Sequence, residues 1–218
     1  MLIQVLLVTH IVVLGYWLGA ELVINSTYRY VSWGQSLPFP ERDRLMDHVL
    51  NVDQHVRYAL VLQAGLGTAL AALYGYIPGR ETVATIVLIA TVLWLVLVET
   101  THRLRRSPRG KSLAKIDLFI RYAAMVGLLV VGCSVFLGLL TLPVWLTWKL
   151  VLFAGVIACG MGIRFWIVRF YQHWQVMAES GSSEDLEAKI RDVYVRATAV
   201  LGLLWLFIAG IVMISVWA

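Results

Sequence analysis

The chain has 218 residues, of which 60% are hydrophobic and 14% charged, with a formal net charge of +5. That balance falls outside the ordinary range of globular chains, so lipid is the expected solvent. With no long polar stretch, the chain excludes a separate soluble domain of the usual ~100 residues or more and predicts a single all-α transmembrane domain over residues 1–218.

A membrane-crossing helix needs roughly 20 mostly apolar residues. Six runs reach that length, at about 2–24, 56–77, 82–100, 116–140, 143–167 and 194–217. Six spans put both termini on one side. The first run has no basic leader and no small-residue cleavage site, so it is expected to remain as the first span.

Within that span His10, Leu14, Trp17 and Glu21 fall on one helical stripe, so a histidine and a carboxylate share a face. Eleven residues at 1.5 Å each separate them by about 16 Å, too far for one metal site. Residues 25–53 are expected to form a loop. The second span begins beside His55 and Arg57 and carries small residues at Ala64, Thr68 and Ala72, a spacing that lets helix backbones approach closely.

A short, nearly uncharged turn at residues 78–80 makes spans 2 and 3 an antiparallel hairpin. The third span ends on Glu99 and His102 and leads into a basic segment with Arg103, Arg105, Arg106, Arg109 and Lys111. The fourth carries Asp117 and Arg121 near its start. A second short turn, at residues 141–143, pairs spans 4 and 5 in the same way.

Span 5 carries Lys149 close to its beginning and a further small-residue series at Ala154, Ala158 and Gly162. Residues 170–193 hold Glu179, Glu184, Asp185 and Glu187 around Gly181-Ser182-Ser183. They read as a solvated turn and a short amphipathic helix whose role is connection. Cys133 and Cys159 sit in apolar runs without metal or haem-attachment spacing and are expected to be small buried hydrophobes.

Lysine and arginine concentrate on one face of this topology. Because basic segments resist translocation, that face is predicted to be cytoplasmic, with both termini outside. Its charges are expected to meet anionic lipid headgroups. No nucleotide-binding, metalloprotease or nucleophile-elbow motif occurs, and nucleic acid is not an expected partner.

Charges within a bilayer are costly, so those retained usually face the bundle interior. Glu21, Arg57, Glu99 and Arg121, with Asp117 one turn away from Arg121, are predicted at similar depth near the cytoplasmic end. Two readings stand: a self-neutralising packing network, or a clamp for an anion or carboxylate that makes these four the candidate catalytic set. In the outer half His10 and Lys149 enter at nearly equal depth.

No two histidines fall at equal depth well inside the membrane, which disfavours a bis-histidine haem held between facing helices. The alternatives are a haem on His10 with another sixth ligand, such as Lys149 or Met213, or an interfacial site using His55 and His102. His10, His55 and His102 are thus the candidate metal ligands, while His48 and His173 lie in expected loops. Trp17, on the His10 stripe, is the tryptophan expected to line a cofactor pocket.

Three segments are similar to a superfamily of small bacterial membrane proteins that includes the haem-dependent, non-flavin protoporphyrinogen oxidases and the copper-resistance D-type proteins. They are His10-Ile11 followed by Tyr16-Trp17-Leu18-Gly19-Ala20 and Tyr28-Arg29-Tyr30, then Trp145-Leu146-Thr147-Trp148-Lys149-Leu150, then Arg164 with Arg169-Phe170-Tyr171. The resemblance implies haem b held around His10 and Lys149 in a bacterial inner membrane. This chain departs from the family in its six spans rather than four and in Gly160-Met161 where a histidine or tyrosine often follows.

The expectation is an integral membrane redox protein acting on or with a porphyrinogen or quinol-type partner. The alternative is a non-catalytic subunit or assembly factor of a larger redox or photosynthetic complex, or a homo-oligomer. Copper handling ranks last, because Met161 and Met213 are isolated and the cysteines lie on different spans.

Overall fold

The computed structural model describes residues 1–105 and 107–217, so Arg106 of the basic segment lies outside the described residues. Among them are six helices: α1 (Leu2–Trp33), α2 (Phe39–Leu73), α3 (Arg80–Arg103), α4 (Pro108–Phe136), α5 (Val144–Ser180) and α6 (Glu184–Trp217). Each is long and apolar enough to cross a membrane. The chain is an all-helical, multi-pass membrane protein whose helices meet the lipid bilayer.

Every expected span lies largely within one helix, but the helices run further than hydropathy indicates. The loop expected over residues 25–53 shrinks to residues 34–38, because α1 continues to Trp33 and α2 starts at Phe39. The connection expected over residues 170–193 shrinks to a turn at residues 181–183. Hydropathy marks only the part of a helix that lipid surrounds. The polar ends persist through ion pairs at i,i+4 spacing, including Asp53–Arg57 (2.7 Å) and Asp192–Arg196 (2.8 Å).

The chain divides into two compact units. One comprises Met1–Tyr28 with Asp43–Leu118, the other Arg29–Arg42 with Phe119–Ala218.

In the first unit α2 and α3 form the expected hairpin. Gly79, with φ +88°, precedes the first residue of α3 in the left-handed region that favours glycine. The contact face differs from the expected Ala64, Thr68, Ala72 series. Thr68 is exposed, and the buried face is Val61, Gly65, Ala69 and Ala72, one residue removed at its start. Gly65 is where the backbones come closest: a Cβ there would lie 1.9 Å from Oγ1 of Thr91. Ala69, Ala72 and Ala84 continue the contact toward the turn, packed by Ile77, Val83 and Val87.

In the second unit α5 lies along α6. Its close approaches are Gly155 to Phe207 and Gly162 to Val200, with Gly210 of α6 against Leu152. Ala158 of the expected series is exposed. The α4–α5 pairing is as expected, with Gly132 against Val151 and the Phe136 and Trp148 rings 5.3 Å apart.

An ion pair absent from the sequence reading lies in this unit. Arg42 reaches Glu187 through Nη1–Oε1 (2.6 Å) and Nη2–Oε2 (3.0 Å), and the two side chains are 2% and 3% exposed. Arg42 Nε donates to the Val31 carbonyl (3.2 Å), Ser182 Oγ donates to Glu187 (2.7 Å), and the guanidinium lies 5.2 Å from the Trp174 ring centre. Trp174 stacks on Phe170 and meets Phe39. The charges are thus compensated by hydrogen bonds as well as by each other.

Candidate functional site in the first helical unit

Most of the polar residues singled out in the sequence belong to the first unit. His10, Trp17 and Glu21 come from α1, His55 and Arg57 from α2, and Glu99 and His102 from α3. Lys149 and Arg121 belong to the second unit.

His10 faces α2 at Gly67. A Cβ at Gly67 would sit 3.4 Å from Cε1 and 3.9 Å from Nε2 of the imidazole, so the ring packs close against the α2 backbone at this level. Gln63, one turn earlier on α2, donates its Nε2 to the His10 carbonyl at 2.7 Å and anchors α1 at this level. The donor present here is a single imidazole on the face of α1 that packs on α2.

Trp17 is 1% exposed, and its indole N–H donates to Glu21 at 3.2 Å, one turn along the same helix. The expected pocket tryptophan therefore serves a buried carboxylate. A matching pair forms between α3 and α4, where Trp94 Nε1 donates to Asp117 at 2.9 Å.

Of the expected set of Glu21, Arg57, Glu99 and Arg121, the first three belong to the first unit. Arg57 pairs with Asp53 through Nε (2.8 Å) and Nη2 (2.7 Å) and also senses the charge of Asp117. Glu21 senses Asp53. Glu21 and Arg57 thus share Asp53 as a neighbour, with Asp117 completing a group drawn from α1, α2 and α4.

Glu99 has its own hydrogen-bond partners. Its carboxylate accepts hydrogen bonds from the Tyr58 hydroxyl and from Nε of Arg103. One turn back on α2, His55 meets Tyr58 edge-on with ring centres 6.2 Å apart, and its Nδ1 is hydrogen-bonded with the Tyr16 hydroxyl of α1. Tyr16, His55, Tyr58, Glu99 and Arg103 therefore form a series of neighbouring polar groups across α1, α2 and α3. Gln54 Nε2 donates to the Val98 carbonyl (3.3 Å), tying α2 to α3 beside it.

This series opens on a groove of about 570 Å³ between α2 and α3. Tyr58, Glu99, Thr100 and Arg103 line one end, and Leu62, Val92, Leu95 and Val96 line the other. The sequence reading named Glu99 but missed Tyr58. Tyr58 lies one helical turn after Gln54 and opposite Glu99 across the hairpin, a relation only the α2–α3 register reveals.

His55 and His102 have different surroundings, His55 between two tyrosines and His102 within reach of the charges of Glu99, Arg105, Arg57 and Asp53. Among the described residues no three or more histidine, cysteine, aspartate or glutamate side chains gather to hold a metal ion. In the second unit, Lys149 Nζ lies 4.6 Å from the Trp145 ring centre, a cation–π contact.

Comparison with known proteins finds no matching family model, no matching curated protein and no matching solved structure.

Proposed function

We propose that this chain is an integral membrane redox protein that binds b-type haem beside His10 and works on or with a porphyrinogen or quinol-type molecule. The observation that carries this reading is the position of His10 within an apolar span, its imidazole turned toward α2 at Gly67. His10 would hold the group. Bound there, haem would supply one-electron chemistry.

In this reading Gln63 fixes the height of His10, and Trp17 keeps Glu21 satisfied within the bundle. Tyr58 and Glu99 present a hydroxyl and a carboxylate to a partner arriving from the lipid. The membrane is a bacterial inner membrane. Both termini lie outside, and Arg105, Arg109 and Lys111 on the cytoplasmic face meet anionic headgroups.

The test is a reduced-minus-oxidised visible spectrum of the detergent-purified protein. A Soret band that His10→Ala abolishes while helix content is unchanged is the expected result. A colourless wild-type protein purified from haem-replete cells overturns the reading.

A second reading, a non-catalytic subunit or assembly factor of a larger redox or photosynthetic complex, is favoured by the local pairing of intramembrane polar groups. Trp17 with Glu21, Asp53 with Arg57, and Trp94 with Asp117 can act as packing pins. Cross-linking in native membranes that captures stoichiometric partner chains on a colourless protein would decide for it.

A further inference from the structure

The α2–α3 groove is polar at one end and apolar at the other. From Val92 to Arg103 it follows twelve residues of α3, eleven rises of 1.5 Å or about 16 Å of helix. Leu62, Val92, Leu95 and Val96 are branched aliphatic side chains, a surface on which a flat ring or a branched tail packs without polar cost. At the other end the Glu99 carboxylate accepts one hydrogen bond on each oxygen, from Tyr58 and from Arg103. A carboxylate has about four lone-pair sites, so acceptor capacity remains.

The charges at that end select among amphiphiles. Arg103 and Glu99 cancel, and Tyr58 is neutral, so the groove presents no uncompensated cation to draw a phosphate. It does present an acceptor to a hydroxyl. A lipid with a neutral, hydroxyl-bearing ring satisfies both ends, whereas an anionic phospholipid headgroup would have to compete with Glu99 for Arg103.

We propose that this groove binds the ring of a quinol-type amphiphile, with Glu99 accepting a hydrogen bond from the ring hydroxyl and Leu62, Val92, Leu95 and Val96 covering the ring and the start of its tail. The choice of a quinol among hydroxylated rings rests on the redox reading above. The neutral polar end and the aliphatic floor do not depend on that reading. Behind Tyr58, His55 and Tyr16 place a titratable imidazole one ring contact from the bound hydroxyl.

The experiment is calorimetric titration of a decyl-substituted benzoquinol, kept reduced, into the protein in phosphatidylcholine nanodiscs, with empty nanodiscs subtracted. Saturable one-site binding is expected. Glu99→Gln should weaken it by roughly tenfold, the worth of one hydrogen bond to a charged group. Leu62→Trp should abolish it, while Leu206→Trp, on the exposed surface of α6, should leave it unchanged. Circular dichroism of each variant reports the fold, and Glu99→Gln, which keeps side-chain size, remains decisive if Leu62→Trp does not fold.

Absence of saturable binding, or binding indifferent to both groove variants, overturns the proposal. Displacement of the benzoquinol by phosphatidylglycerol at equal concentration overturns the assignment of a neutral head. The heat of binding needs no chromophore. A colourless protein that binds benzoquinol therefore defeats only the haem reading, and a haem protein that binds none defeats only the groove.

Discussion

Arg42 and Glu187 stand 145 residues apart in the chain and meet in a two-pronged ion pair almost wholly removed from solvent. Breaking such a pair by removing one partner leaves a buried charge without compensation, whereas replacing both by apolar groups need not destabilise. Glu187→Ala is expected to lower stability by about 3–5 kcal/mol. The double variant Arg42→Met with Glu187→Leu should recover most of that loss. Denaturant unfolding in detergent, followed by tryptophan fluorescence, measures both.

The Gly65–Thr91 contact makes a steric prediction. A Cβ at position 65 would meet Oγ1, Cγ2 and Cβ of Thr91 at 1.9, 2.6 and 2.8 Å. Gly65→Ala should therefore destabilise the hairpin by about 1–3 kcal/mol, the usual effect of overpacking. Adding Thr91→Ala removes the two nearest atoms and should restore part of the loss. Equal melting temperatures for Gly65→Ala and the wild type would contradict this packing.

Trp17→Phe keeps the aromatic bulk but removes the indole N–H that donates to Glu21. An unsatisfied buried acceptor costs about 1–3 kcal/mol, more when charged. The variant should melt earlier, and adding Glu21→Leu should bring it back toward the wild type. Thermal melts of the two variants in one detergent give the comparison.

Cys159 is buried and Cys133 exposed. In a Cys133→Ser background, a maleimide should label the folded protein in detergent slowly and the unfolded protein fast, because a thiol shut away from solvent is inert. The labelling rate of Cys159 should follow denaturant with the same midpoint as tryptophan fluorescence.

The contrast between Glu21 and Glu187 indicates how far the amino-acid sequence can be read. Glu21 sits in an apolar run, so its position alone marks it as an interior group whose partners need explanation. Glu187 sits among other acids near a Gly-Ser-Ser turn, where polarity suggests solvent, and only its contact with Arg42 makes it an interior residue. Neither Arg42 nor Glu187 differs in local pattern from the exposed Arg44 or Glu184 nearby.

The six apolar runs were legible because lipid demands length and apolarity directly. Helix ends were not, because hydropathy is silent about backbone hydrogen bonding beyond the bilayer. The contact face of α2 was read one residue away from its true line. Ala64 and Gly65 both satisfy a small-residue pattern, and only the position of Thr91 on the facing helix distinguishes them. The Tyr58–Glu99 contact was hidden for the same reason, since it depends on the register between two helices.

The reach of α5 beyond the bilayer has a mechanical consequence. Its 37 residues extend about 55 Å, against a hydrocarbon core of roughly 30 Å. About 25 Å of rod, on the difference of those two lengths, is left to stand clear of the lipid core. The Arg42–Glu187 pair ties the start of α2 to the start of α6, and the Arg42 guanidinium also lies 5.2 Å from the ring centre of Trp174 on this rod. A tilt of 10° within the membrane would carry the free end about 4 Å sideways, by simple lever geometry over that length. An aqueous probe attached near Gly181 would register such a tilt as a displacement several times larger than any shift near the pivot.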